Sequence, residues 1–131
     1  MDMNYCSKVK DSLNYIEKNL DNKITLDILA NKVHLSKYYY HRLFCKMVGV
    51  SVNKYVNQRR MEKAVEELIF TNQPIMDIAL KYQYSSQEAF SRAFRRCYSV
   101  TPGKYRRMYA GCHSNVSNTF VYSKQNMNIA A

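Results

Sequence analysis

Apolar residues along this chain recur at the three- and four-residue spacing of amphipathic helices and nowhere alternate as strands would. Val9, Leu13, Ile16 and Leu20 form the first stripe and predict a helix near Lys8 to Asn19. Thr25 caps a short second helix carrying Leu26, Leu29, Ala30 and Val33, and Ser36 caps a third from Lys37 to Met47, with Gly49 just past its end. Ser51 opens a long fourth helix reaching Phe70, with Val52, Tyr55, Val56, Ala64, Val65, Leu68 and Ile69 on its apolar positions. Pro74 suits the first turn of a fifth helix ending near Tyr82. Ser85 or Ser86 caps a sixth from Gln87 to Cys97, and Thr101-Pro102 opens a seventh to about Tyr109. Beyond Gly111 the chain becomes polar, with Asn115, Asn118, Asn126 and Asn128, and reads as a disordered tail.

The pattern repeats itself. At an offset of fifty residues Ser36 falls on Ser86, Arg42 on Arg92, Phe44 on Phe94, Lys46 on Arg96, Ser51 on Thr101, Lys54 on Lys104 and Tyr55 on Tyr105. Upstream the offset is forty-nine, pairing Ala30 with Ala79, Lys32 with Lys81 and Val33 with Tyr82. The one-residue slip falls in a turn, where loop length varies at least cost. The expected architecture is therefore all-α, with about seven helices forming two tandem helix-turn-helix subdomains like small homeodomain units. They span residues 8–50 and 71–109, joined by a linker helix over 51–70 and followed by the tail at 110–131.

The second helix of each unit has two faces. In the third helix Tyr40, Leu43, Phe44 and Met47 follow the packing spacing, while Tyr38, His41, Arg42, Cys45 and Lys46 lie opposite. In the sixth, Phe90, Ala93, Phe94 and Cys97 pack, while Gln87, Glu88, Ser91, Arg92 and Arg95 face away. These outward residues have the chemistry of base edges. Arg42 and Arg92 can each pair bidentately with guanine, and Gln87 with adenine. Tyr38 suits a thymine methyl or a sugar. Glu88 must either accept from a cytosine amine or brace a neighbouring arginine. Positioning contacts to phosphate are expected at the helix starts, Ser36, Ser51, Ser86 and Thr101, and at Lys37, Lys46, Lys54, Arg95, Arg96 and Lys104. Arg59 and Arg60 lie on the linker helix, where Arg60 is expected to pair internally with Glu17 or Asp77.

Charge points the same way. The chain carries 20 Lys and Arg against 10 Asp and Glu, a net charge of +10, which attracts nucleic acid or an acidic membrane face. The excess falls in two blocks. From Lys37 to Arg60 there are six cationic residues and no acid, and from Lys81 to Arg107 seven against the single acid Glu88. No apolar run approaches the roughly 20 residues of a membrane span, and no leader opens the chain, so a cytoplasmic protein with free thiols is expected. Cys6, Cys45, Cys97 and Cys112 show no paired spacing, and His34, His41 and His113 complete no zinc pattern. His41 and Cys45 share a helix face but do not by themselves make a metal site. Neither a nucleophile set nor a phosphate loop is visible, so no enzyme and no cofactor is expected.

At these residues the chain resembles the AraC/XylS transcription regulators. The segment IMDIALKYQYSSQEAFSRAFRRCYSVTPGKYRR is similar to that family's signature, and LDILANKVHLSKYYYHRLFCKMVGVSVNKYVNQRRMEKA fits the same pattern, the whole likeness covering about Val9 to Arg107. In length and layout it is similar to the single-domain members, so no small-molecule effector domain is expected in this chain. The resemblance implies binding to double-stranded promoter DNA as a monomer, contact with RNA polymerase, and activation. Carried across position by position, it places base contacts at Tyr38, His41 and Arg42, then at Gln87, Glu88, Ala89, Ser91 and Arg92. The chain departs from the family at Gln83, where the second turn usually holds glycine, and at Tyr38, His41 and Glu88, where relatives have tryptophan or glutamine. The target sequence therefore does not transfer. The rival readings are a non-specific nucleic-acid binder and a protein-interaction module on the same scaffold; RNA modules usually show aromatic platforms on sheets, which a helical chain lacks.

Overall fold

The structure, a computed structural model, describes residues 3–110. The tail expected at 110–131 lies, from residue 111 onward, outside the described residues. Seven helices follow one another: α1 (Met3–Lys18), α2 (Leu26–Lys32), α3 (Lys37–Val48), α4 (Val52–Phe70), α5 (Ile75–Lys81), α6 (Gln87–Tyr98) and α7 (Pro102–Tyr109). No strand occurs among the described residues. The chain divides into two compact units, one ending at Arg59 and the other beginning at Arg60, so α4 contributes a half to each.

In the first unit the core holds Val9 and Ile16 of α1, Leu20 just beyond it, Leu29 and Ala30 of α2, Tyr40, Leu43 and Phe44 of α3, and Val52 and Val56 of α4, all buried. The inner stripe of α1 is not quite the expected one. Leu13 is only half-buried, and Ser12 takes the inner position, its hydroxyl donating to the Val9 carbonyl at 2.7 Å. A small residue that satisfies its own polar atom costs little when buried, and lets the helices approach. α1 also begins at Met3, well before the expected Lys8, because its first turn carries no apolar stripe for a periodicity reading to find. Glu17 on α1 is held by Arg59, with Nε at 2.6 Å and Nη2 at 3.2 Å, and Tyr55 donates to the same carboxylate. Glu17, one of the two partners expected for Arg60, is thus held by the neighbouring Arg59.

The second unit is built alike. Met61, Ala64, Val65, Leu68 and Ile69 of α4 pack with Ile78, Ala79, Tyr82, Phe90, Phe94 and Tyr105. Glu67 accepts from the Lys81 ammonium at 3.2 Å and from the Tyr82 hydroxyl, and Arg106 Nε donates to the Leu68 carbonyl at 3.0 Å. Pro74 stands at the N-cap of α5 with extended ψ, one residue before the first turn where it was expected. A proline has no side chain to cap with, and α5 starts without a side-chain cap bond.

Each helix-turn-helix reverses through one left-handed residue, His34 (φ +59°) in the first turn and Gln83 (φ +72°) in the second. The bonds match: His34 and Leu35 donate to Asn31 and Ala30, and Gln83 and Tyr84 to Leu80 and Ala79. The register slip therefore lies after Tyr84, where Ser85 is the extra residue before the cap Ser86. The second helix of each helix-turn-helix ends in another left-handed residue, Gly49 (φ +94°) in the first unit and Ser99 (φ +68°) in the second. Side chains resist this conformation and glycine does not. Gln83→Gly and Ser99→Gly are each expected to stabilise the second unit by about 0.5–1 kcal/mol, read as a rise of several degrees in the thermal unfolding midpoint. An unchanged or lowered midpoint would show that these positions carry no backbone strain.

Candidate nucleic-acid interface

Rotation about the helix axis decides which side chains of α3 and α6 face out. Tyr40 and Phe44 of α3, like Phe90 and Phe94 at the matching places on α6, are fully buried. An α-helix advances about 100° per residue, so Arg42 and Arg92, two positions before Phe44 and Phe94, point to the far side. Both arginines are exposed. Met47, expected in the packed face of α3, is 37 % exposed in the last turn of the helix. Ala93 and Cys97 are half-buried.

On α3 the outward ridge carries Tyr38, which is 72 % exposed, together with Arg42 and Lys46. His41 is half-buried, with Nε2 at 3.7 Å from the Cys45 sulfur. The Arg42 guanidinium lies over the Tyr38 ring, 5.7 Å from its centroid. On α6 Gln87, Glu88, Arg92 and Arg95 are exposed, and Ala89 and Ser91 are half-buried. Among the described residues no ion pair links Glu88 to Arg92 or Arg95.

The caps at the four helix starts expected to meet phosphate are all formed. Ser36, Ser51, Ser86 and Thr101 accept through their hydroxyl oxygens from the backbone N–H of Tyr39, Lys54, Ala89 and Lys104. Each cap takes one donor of the first turn and leaves its own O–H to donate elsewhere. Lys46, Arg95, Arg96 and Lys104 are exposed, Lys54 is half-buried, and Lys37 sits 3.8 Å from Asp27 in a solvent-exposed ion pair.

Sequence reasoning missed Met76. It is 52 % exposed on α5 and lines one shallow depression with Ser86, Gln87, Glu88, Ser91 and Arg92. The repeat holds the signal: the offset of forty-nine sets Met76 on Asp27, which in the first unit stands beside Lys37, itself the counterpart of Gln87.

Beneath the ridges burial shifts several titratable groups. Burial pushes the Tyr40 phenol above its ordinary value, with Ser12 pulling partly the other way. Burial likewise raises the Tyr84 phenol, and the Cys97 thiol adds to the rise while Arg60 and Arg96 oppose it. The Cys97 thiol is itself pushed up by burial, against Arg96, and so stays protonated. Burial lowers the Arg60 guanidinium. No group of three or more potential metal ligands occurs among the described residues, and no helix there is long and apolar enough to cross a membrane.

Two helix-turn-helix units, each presenting cationic side chains from its second helix, define a DNA-binding regulator of the tandem helix-turn-helix class. Comparisons with known proteins agree. Residues 29–108 match the family described as a helix-turn-helix domain. The TetD protein of transposon Tn10 from Escherichia coli is 48 % identical over 99 residues, covering 76 % of this chain and 72 % of TetD. The transcriptional activator AarP of Providencia stuartii is 38 % identical over 100 residues, covering 76 % of this chain and 74 % of AarP. The HTH-type regulator YbfP of Bacillus subtilis is 38 % identical over 122 residues, and the chain spans only 41 % of its length. Among solved structures, the C-terminal domain of the response regulator AraT from Geobacillus stearothermophilus superposes with a TM-score of 0.73 at 34 % identity, covering 79 % of this chain and 86 % of that one. The DNA-binding domain of AdpA, solved with a target DNA, shares the fold at a TM-score of 0.72 and 20 % identity, over 77 % of this chain and 91 % of that one. The chain belongs to the AraC/XylS family of transcription regulators, whose members are DNA-binding proteins and not enzymes.

The two faces are expected to separate on mutation. Phe44→Ala and Phe94→Ala should each cost about 3–5 kcal/mol of stability. Arg42→Ala and Arg92→Ala should stay within about 0.5 kcal/mol of the parent. Chemical denaturation checks this, and a large loss in either arginine variant would place that side chain inside.

Proposed function

We propose that this protein binds duplex promoter DNA sequence-specifically as a monomer and activates transcription from the cytoplasm by contacting RNA polymerase. α3 and α6 enter neighbouring major-groove segments, each about 12 Å wide, and their outward ridges read base edges. The observation that carries this reading is the pair Arg42 and Arg92: equivalent places in the two repeats, both exposed, neither in an ion pair among the described residues. Each takes a guanine. Gln87 takes an adenine, and Glu88 accepts from a cytosine amine. Tyr38 and His41 line the ridge beside Arg42, and Ala89 and Ser91 beside Arg92. The capped helix starts at Ser36, Ser51, Ser86 and Thr101 sit on phosphates, with Lys37, Lys46, Lys54, Arg95, Arg96 and Lys104. The family shown above, and a relative named as a transcriptional activator, support the assignment.

Selection of bound duplexes from a random pool, followed by footprinting, is expected to yield two half-sites roughly 10 bp apart with no palindrome. Affinity for the selected duplex should exceed that for a scrambled one by about 10³-fold or more and fall steeply with salt. Equal affinity for both duplexes would leave only a non-specific binder.

Arg92→Ala is expected to cost about 1–3 kcal/mol on the selected site and to relax preference at one or two base pairs, whereas Lys54→Ala should weaken all sequences about equally. If Arg92→Ala left the base preferences unchanged, α6 would not be reading through that residue.

A further inference from the structure

The outward ridge of α3 holds one contact that α6 lacks. Tyr38 and Arg42 are four residues apart and share a helix face. The arginine lies over the exposed ring at 5.7 Å from its centroid, within the range of a cation–π contact. The counterpart of Tyr38 at an offset of fifty is Glu88, which makes no ion pair with Arg92 among the described residues. The two arginines therefore occupy equivalent places in different states. Arg42 rests on an aromatic face, and Arg92 has no such support.

We propose that Tyr38 is a positioning residue that pre-orients the Arg42 guanidinium for base reading, and does not itself supply the base contact that specifies sequence. This rests on the reading of α3 as a recognition helix. A guanidinium is a planar fork whose N–H donors all lie in its plane. The ring attracts the charge without accepting a hydrogen bond from it, so Arg42 can keep the ring beside it while it presents two donors to guanine O6 and N7. A free arginine loses much rotamer freedom on making such a pair. One already resting on a ring has lost part of it beforehand, and the preorganised side chain discriminates better for the same hydrogen bonds. Expulsion of water from the groove strengthens the contact further, since cation–π attraction grows on desolvation. The phenolic hydroxyl has no part in this, which separates positioning from hydrogen bonding by Tyr38.

The test measures base preference at every position of the selected site, by competition binding, for the parent, Tyr38→Ala, Tyr38→Phe, Arg42→Ala and the Tyr38→Ala/Arg42→Ala double variant. Tyr38 is exposed, so all variants are expected to fold with an unchanged unfolding midpoint, recorded in parallel. Tyr38→Ala should reduce discrimination about two- to fivefold, at the same base pair where Arg42→Ala abolishes it. Tyr38→Phe should keep the parental preference, and the double variant should discriminate no worse than Arg42→Ala alone. Loss of preference at a different base pair in Tyr38→Ala, additive losses in the double variant, or loss in Tyr38→Phe would overturn the positioning role while leaving α3 as the reading helix. Unchanged preferences in Arg42→Ala would overturn both.

Discussion

The structure depends most on two aromatic residues one turn apart on the inner side of each recognition helix. Tyr40 and Phe44 in α3 have ring centroids 5.9 Å apart, and Phe90 and Phe94 in α6 lie 5.8 Å apart. All four are fully buried. Large rings in a packed interior admit few orientations, so they fix each helix in rotation as well as in place. Phe94 is further clamped by Tyr98 and Tyr105, and Phe44 by Tyr55. Where Arg42 and Arg92 point follows from these inner contacts, because residues two apart on a helix emerge on opposite sides.

The backbone at the turns serves the same end. In both units a single left-handed residue lets the chain leave the first helix and re-enter a capped second one within a few residues. A serine hydroxyl then takes an N–H that the tight turn leaves without a backbone acceptor. The repeated parts are those that carry this geometry: the caps, the buried rings and the turn bonds. Among the outward positions Arg42 matches Arg92 and Lys46 keeps its charge as Arg96, while others differ. Tyr38 corresponds to Glu88 in the repeat, Asp27 to Met76, and Lys37 to Gln87. Packing tolerates few changes at the first kind of position and almost any at the second, so one scaffold presents two unlike surfaces.

Much of this was legible in the chain itself. Capping is a local event, and each of the five predicted serine or threonine caps has its hydroxyl within a hydrogen bond of the expected turn. The repeat is visible because equivalent core places demand similar residues. The outward ridges follow from helical periodicity once the buried rings are identified. Even the unusual Gln83 was recognisable as standing where glycine is favoured, and its φ of +72° supplies the reason.

Local pattern thus determined the helices, their caps and their faces, since these depend on residues within a turn or two of one another. The fold alone decided what depends on partners far along the chain. It buried Ser12 in place of Leu13, because closeness between helices and a carbonyl for the hydroxyl mattered more than hydrophobicity. It joined Arg59 to Glu17 across 42 residues, a pairing that composition cannot specify. It left Met47 partly exposed in the last turn of α3, and it set Met76 beside Gln87 and Arg92. Periodicity reports which way a side chain points, and only tertiary packing supplies what it meets there.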